Sequence, residues 1–299
     1  MSARKPMQRW LTDPLEAALL WLALGFFGLL KPETASNAGG WLARAIGPRL
    51  PLSERARRNL RHVLPELSKG EIESVVRATW ENHGRVFAEM PHVNQVIERG
   101  NVFAAPEALA LLRRVKDAGQ PVVLVGGHLA NFEVFGALIL ANGFSLTAIY
   151  RAPNNPLVDR IWRRLRGAAH LVPKSTDGGR EALRVLSGRG NLGVLVDQKF
   201  NEGIAVPFFG KPAMTTAAPA HFAQRFKAAI VFGWAERLGP ARYRIHAELV
   251  EPVAPAGPGA AARGEAIAAT TARINEHLER RVRENLADWF WLHRRWGRI

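Results

Sequence analysis

The stretch GGHLANFE (126–133) sets an imidazole, His128, five positions before a carboxylate, Glu133. Such a pair can serve as a general base and the group that fixes its tautomer and stabilises the imidazolium. On one continuous helix, positions i and i+5 lie about 140° apart and share no face. With His128 in a turn and Glu133 in the first turn of the next helix, the carboxylate can fold back onto the ring. The competing reading is a loop histidine satisfied by its neighbours. What precedes the pair favours chemistry: PVVLVGG (121–127) is a short apolar run closed by glycines and reads as a buried strand. Loops at the carboxyl ends of such strands are where α/β proteins build their sites.

Two further strand ends carry polar groups. Tyr150-Arg151 closes one, and Arg151 could hold a phosphate or an oxyanion. Asp197-Gln198-Lys199 closes another, where Asp197 could orient a polar substrate group, with Gln198 beside it. A metal centre is not expected. Zinc needs at least three ligands, the neighbourhood of His128 supplies two plus Asn131, and His83, His92 and His221 lack ligand spacing. Cysteine is absent altogether, which excludes a disulfide framework, a Cys-ligated zinc and a Cys nucleophile.

The elements that must position these groups alternate. Helical spacing over 131–142 follows the first strand. Then come a strand at 145–150, a helix at 156–167, a short strand at 171–173, a helix at 178–188 with Asp177 placed to cap it, and a strand at 191–196. Residues 228–236 and 242–250 read as a final strand pair, 252–260 as a loop, and the remainder as one long amphipathic helix. This order predicts an α/β fold, a central mostly parallel or mixed sheet covered by helices. In WFWLHRRWGRI (289–299), Trp289, Leu292, His293 and Trp296 sit at helical spacing with Arg294 and Arg295 turned away. That stripe reads as core packing, with an interfacial Trp/Arg patch as the alternative.

The amino-terminal part differs in kind. Residues 15–30, LEAALLWLALGFFGLL, are apolar apart from Glu16 and follow Arg4, Lys5 and Arg9. Sixteen helical residues span roughly 24 Å, short of a ~30 Å hydrocarbon core. A cleaved signal peptide lacks a convincing small-residue site in KPETASNAGG, and a buried soluble helix is the plain alternative. The basic start favours an anchor, inserted or lying in the interface. Residues 1–31 are therefore read as a membrane anchor and 32–299 as one catalytic domain. Arg44, Arg49, Arg55, Arg57, Arg58 and Arg61 then cluster, either as a phosphate-attracting surface or as an ordinary solvated helix face. Overall, 41 Lys and Arg against 26 Asp and Glu leave a formal net charge of +15. That suits a nucleic acid, a phospholipid surface or an acidic carrier protein. No zinc finger, RNA-binding signature or helix-turn-helix supports a nucleic-acid partner or a purely basic binding protein.

Taken together, four blocks resemble the late acyltransferases of lipid A biosynthesis (lauroyl and myristoyl transferases), relatives of bacterial lysophospholipid acyltransferases. They are GGHLANFE, IYRAPNNPLVDRIWRRLRG, LGVLVDQKFNEGIAVPFFGKPAMTT and WFWLHRRWG, in that order over about residues 50 to 297. The resemblance implies one glycerolipid-acyltransferase-like α/β domain on the cytoplasmic face of a Gram-negative inner membrane. It implies transfer of a fatty acyl group from acyl carrier protein to a hydroxyl of a lipid A precursor, with no cofactor. It makes His128 the general base with Glu133 as partner, and Arg151, Asp197 and Gln198 substrate-binding positions. Ala217-Ala218 stands where relatives often carry a glycine, so another lysophospholipid or glycolipid is the alternative acceptor. A direct transfer from a thioester needs no covalent enzyme intermediate, consistent with a chain without Cys.

Overall fold

The computed structural model describes residues 6–167 and 169–297, so Arg4 and Lys5 lie outside the described residues. The chain opens with helices α1 (Pro6–Gly28), α2 (Pro32–Ile46), α3 (Ser53–Val63), α4 (Lys69–Glu89) and α5 (Val93–Glu98). Strand β1 (Val102–Ala104) and helix α6 (Pro106–Asp117) lead into the alternating region. That region runs β2 (Val122–Gly126), α7 (Phe132–Ala141), β3 (Thr147–Tyr150), α8 (Pro156–Arg166), β4 (His170–Pro173), α9 (Thr176–Ser187) and β5 (Asn191–Leu195). A hairpin of β6 (Ile204–Phe208) and β7 (Lys211–Thr215) follows, then α10 (Ala218–Phe226), β8 (Ala229–Gly239), β9 (Arg242–Val250) and α11 (Ala260–Glu284).

Seven strands form one sheet in the order β1-β9-β8-β2-β5-β3-β4, and β6 and β7 pair separately. Strands β8, β2, β5, β3 and β4 run parallel, while β9 is antiparallel to β8 and parallel to β1. Helices cover both faces of this mostly parallel sheet, as the strand–helix alternation predicts. Strand β2 is buried throughout because its alternate residues feed opposite cores. Val123 and Val125 pack with α11 and the carboxyl-terminal tryptophans, whereas Val122 and Leu124 pack with α6 and α7. The glycines closing it answer to close approach. A Cβ on Gly126 would lie 2.9 Å from the carbonyl oxygen of Gly233, and one on Gly127 would lie 2.7 Å from Leu278.

Local signals set most helix starts. Ser68 and Glu71 form a reciprocal capping box on α4, and Asn155 caps α8 ahead of Pro156. Two local expectations are corrected. Ser175, not Asp177, caps α9, because its hydroxyl reaches the amide of Gly178 while Asp177 sits inside the first turn. The last helix ends at Glu284, and residues 289–297 form no helix. Arg295 is consequently not turned outward but wholly buried. Its guanidinium donates to the carbonyl of Met214 at 3.0 Å and the hydroxyl of Thr215 at 2.7 Å, so a backbone carbonyl and a side-chain hydroxyl of β7 supply acceptors in place of water. Burial lowers its pKa to about 10.

Helix α1 is apolar from Trp10 to Gly28 apart from Thr12, Asp13 and Glu16, is long and apolar enough to cross a membrane, and only 17% of that window is buried. Its buried side packs on α8 and on the turn before α5.

Candidate active site

Parallel register builds the centre. Strands β2 and β5 are neighbours with Gly126 opposite Leu195. Two residues beyond each strand end, His128 and Asp197 therefore arrive side by side. Asp197 Oδ1 lies 2.8 Å from His128 Nδ1, and Asp197 Oδ2 accepts the backbone N–H of His128 at 2.8 Å. An ionised carboxylate can only accept, so Nδ1 carries the proton and Nε2 keeps a free lone pair. That lone pair is what a general base needs. Burial pulls the imidazole pKa down, but the charge and hydrogen bond of Asp197, then the charge of Glu133, outweigh it and hold His128 above 6.5. Asp197 itself is pressed below the usual carboxylate range. Burial would raise it, but the charge and hydrogen bond of His128, helped by His293, prevail.

The expected fold-back of Glu133 onto the imidazole is thus replaced by Asp197. Glu133 stands in the first turn of α7 and makes a two-pronged ion pair with Arg166 at the end of α8. Arg166 Nε lies 2.9 Å from Oε2 and Nη2 lies 2.5 Å from Oε1. Glu133 still faces the same space as His128, and its charge still acts on the ring. Asp197 has no exposed surface, so it cannot orient a substrate group as its sequence position led one to expect. Its work is on His128. Arg151 and Gln198 are exposed and line the site cavity, and the Gln198 amide lies 3.5 Å from His128 Nε2.

That cavity is about 860 Å³. His128, Glu133, Arg166, Arg151 and Gln198 mark its polar part, while Phe135, Leu140, Leu146 and Leu165 line an apolar part under α7. Small-molecule sites run to roughly 300–1,000 Å³, so this one suits a long ligand with a polar reacting end. Among the described residues, no group of three or more His, Asp or Glu side chains converges as a metal site would require.

The carboxyl-terminal segment supports the pair from behind without lining the cavity. Trp289 Nε1 donates to Asp197 Oδ2 at 2.9 Å, and His293 Nε2 lies 2.9 Å from the Asp197 carbonyl oxygen. Leu129 bridges Trp289, and the amide of Ala130 donates to the carbonyl of Asp288 at 2.9 Å. This clasp holds the turn after His128, where Ala130 adopts φ 42°. Below it, Asn131 donates to Glu89 at 2.9 Å, and Glu89 is ion-paired to Arg237 and bonded to Tyr243. Sequence reading missed Arg166, Trp289 and Glu89 as supports of the site. Only the arginine-rich end of RIWRRLRG hinted at the first, Trp289 was marked only as core packing, and nothing local marked Glu89.

A family described as bacterial lipid A biosynthesis acyltransferase matches residues 5–298, and the chain belongs to it. Membership makes it an acyltransferase of lipid A biosynthesis, with an acyl donor and a lipid acceptor. No curated protein matches the chain.

Proposed function

We propose that this lipid A biosynthesis acyltransferase moves a fatty acyl group from the thioester of acyl carrier protein to a hydroxyl of a lipid A precursor, with His128 as general base and no cofactor. The carrying observation is the Nε2 lone pair of His128, fixed by the Asp197 carboxylate 2.8 Å from Nδ1 and facing the cavity beside the Gln198 amide. In the reaction, Nε2 takes the hydroxyl proton as the acceptor oxygen bonds to the thioester carbonyl carbon. The tetrahedral intermediate then collapses, the C–S bond breaks, and the imidazolium returns its proton to the departing thiolate. Asp197 stabilises the imidazolium between these steps, and Glu133 adds its charge from the other side. Arg166, held by Glu133, and exposed Arg151 supply positive charge for an oxyanion or a substrate phosphate. The apolar part of the cavity takes the acyl chain.

The net charge of +15 suits an acidic carrier protein and a phosphorylated lipid alike. The apolar helix at Trp10–Gly28 supports residues 1–31 as the anchor of a 32–299 catalytic domain, at the cytoplasmic face of the inner membrane where acyl carrier protein is available.

The test offers purified full-length chain acyl carrier proteins of several chain lengths with a lipid A precursor, read by mass. The precursor should gain one acyl group, and His128→Ala should lower the rate at least about 10²-fold. Transfer by His128→Ala near the wild-type rate would overturn the mechanism. Acylation of a lysophospholipid with the precursor untouched would move the acceptor to the alternative class.

A further inference from the structure

We infer that α1 and α2 form one docking face that lies within a single leaflet of an anionic phospholipid bilayer, with α1 parallel to the membrane plane instead of across it. Leu11, Leu15, Leu19, Leu22 and Phe26 recur at intervals of four and three and are 58–67% exposed. That spacing is one stripe of a helix. Trp10 and Trp21 flank it at 78% and 64% exposure. A contiguous apolar face of this kind is the mark of a membrane or partner contact.

The opposite side of α1 is attached to the body along most of its length. Asn155, at the start of α8, donates to the carbonyl of Asp13 at 2.8 Å. His92, before α5, donates to the carbonyl of Phe27 at 2.9 Å. These two ties are about 21 Å apart along the helix axis. Between them Ala17 and Leu24 are buried. Length alone would let α1 cross a bilayer. Crossing in this attached state, however, would carry α8 with its exposed Arg160, Arg163 and Arg164 into hydrocarbon, which strongly disfavours charge. A helix lying in the interface keeps the stripe in lipid and α8 out of it.

Helix α2 extends the face. Its small residues pack on α4 so closely that a Cβ on Gly39 would lie 2.5 Å from the carbonyl oxygen of Gly84. Its other side therefore turns outward, exposing Trp41, Leu42 and Ile46, with Leu50 just beyond. Exposed Arg44 and Arg49 lie among these residues in sequence, Arg44 ion-paired to Glu81 and Arg49 bonded to the carbonyl of Ala45, and Trp with Arg is the pairing that suits an anionic headgroup layer. The site cavity extends to the residues that hold α1, since Met90, Val93 and Ile97 line it beside His92, which bonds the carbonyl of Phe27. A lipid could then reach His128 with its chains still in the leaflet. That last consequence rests on the proposed acyl transfer; the docking geometry does not.

Because the natural chain has no cysteine, single-cysteine labelling tests the inference directly. Leu11→Cys, Leu15→Cys, Leu19→Cys, Leu22→Cys, Phe26→Cys and Leu42→Cys, each in the full chain, are spin-labelled and bound to vesicles of phosphatidylethanolamine and phosphatidylglycerol. Immersion depth is read from oxygen against nickel-chelate accessibility. The expected result is one shallow depth shared by the five α1 positions, with the Leu42 label also in lipid. Depth that peaks near Leu19, with labels at 11 and 26 in opposite headgroup layers, would overturn the in-plane placement. A Leu42 label in water would remove α2 from the face. In-plane docking by a chain that transfers no acyl group would count against the proposed function alone.

Discussion

Asp197 has no solvent contact, yet it decides what His128 can do. Its two oxygens take the Nδ1–H and the backbone N–H of His128, so the imidazole has one tautomer and one orientation. In Asp197→Asn the amide can present a donor to Nδ1 and favour the wrong tautomer. The acyl-transfer rate should fall by about 10²–10⁴-fold with the fold retained, as circular dichroism would show. The raised His128 pKa carries a sign for pH. A general base works deprotonated, so on the proposed mechanism kcat/KM should rise with pH through a midpoint above 6.5. Glu133→Gln removes a charge that favours the imidazolium, so that midpoint should move to lower pH. A pH–rate profile with an unmoved midpoint would take Glu133 out of the electrostatics of the ring.

At the scale of elements, the carboxyl-terminal segment and α4 behave as supports. Trp289→Phe keeps the ring packing against Phe208 and Trp291 but removes the donor to a buried carboxylate. Hydrogen bonds to charged groups contribute about 1.5–3 kcal/mol, and urea denaturation should register a loss of that order. His83 on α4 donates to the carbonyl of Thr79 at 2.7 Å, and burial lowers its pKa to about 4. A folded pKa below the unfolded value near 6.5 means stability that is whole above about pH 6.5 and declines as pH falls toward 4. Wild type should therefore lose up to about 2.5 kcal/mol more than His83→Gln between pH 7 and 4.5, measured by denaturation at each pH. Equal slopes would show that His83 does not titrate in this way.

Over the whole molecule, charge and apolar surface are separated in function. On the proposed docking, the excess of Lys and Arg acts at a distance, while the exposed stripe of α1 acts on contact. Binding to anionic vesicles should accordingly weaken from 0.1 M to 1 M salt, as the Debye length shrinks from about 10 Å to about 3 Å, without vanishing. Binding to neutral phosphatidylcholine vesicles should be nearly indifferent to salt. Cosedimentation measures both, and loss of all binding at high salt would reduce the apolar face to a bystander.

Much of the alternating region was legible in order along the chain. The apolar runs at 121–127 and 191–196, the helix at 156–167 and the strand pair at 228–250 reflect local periodicity and punctuation, and the sheet follows from their alternation. Residue types likewise marked His128 as the base candidate and excluded a cysteine nucleophile. What tertiary structure alone decided is the partner of that base. Glu133 is near in sequence, but the helix carrying it aims the carboxylate at Arg166. Asp197 lies 69 positions away, and only the pairing of β2 with β5 brings it to the ring. The same holds for the tryptophan stripe near the end, whose spacing imitates a helix while its indoles and Arg295 satisfy buried acceptors. Periodicity reports which residues avoid water. Which strands become neighbours, and hence which polar groups must satisfy one another, depends on contacts that no local window contains.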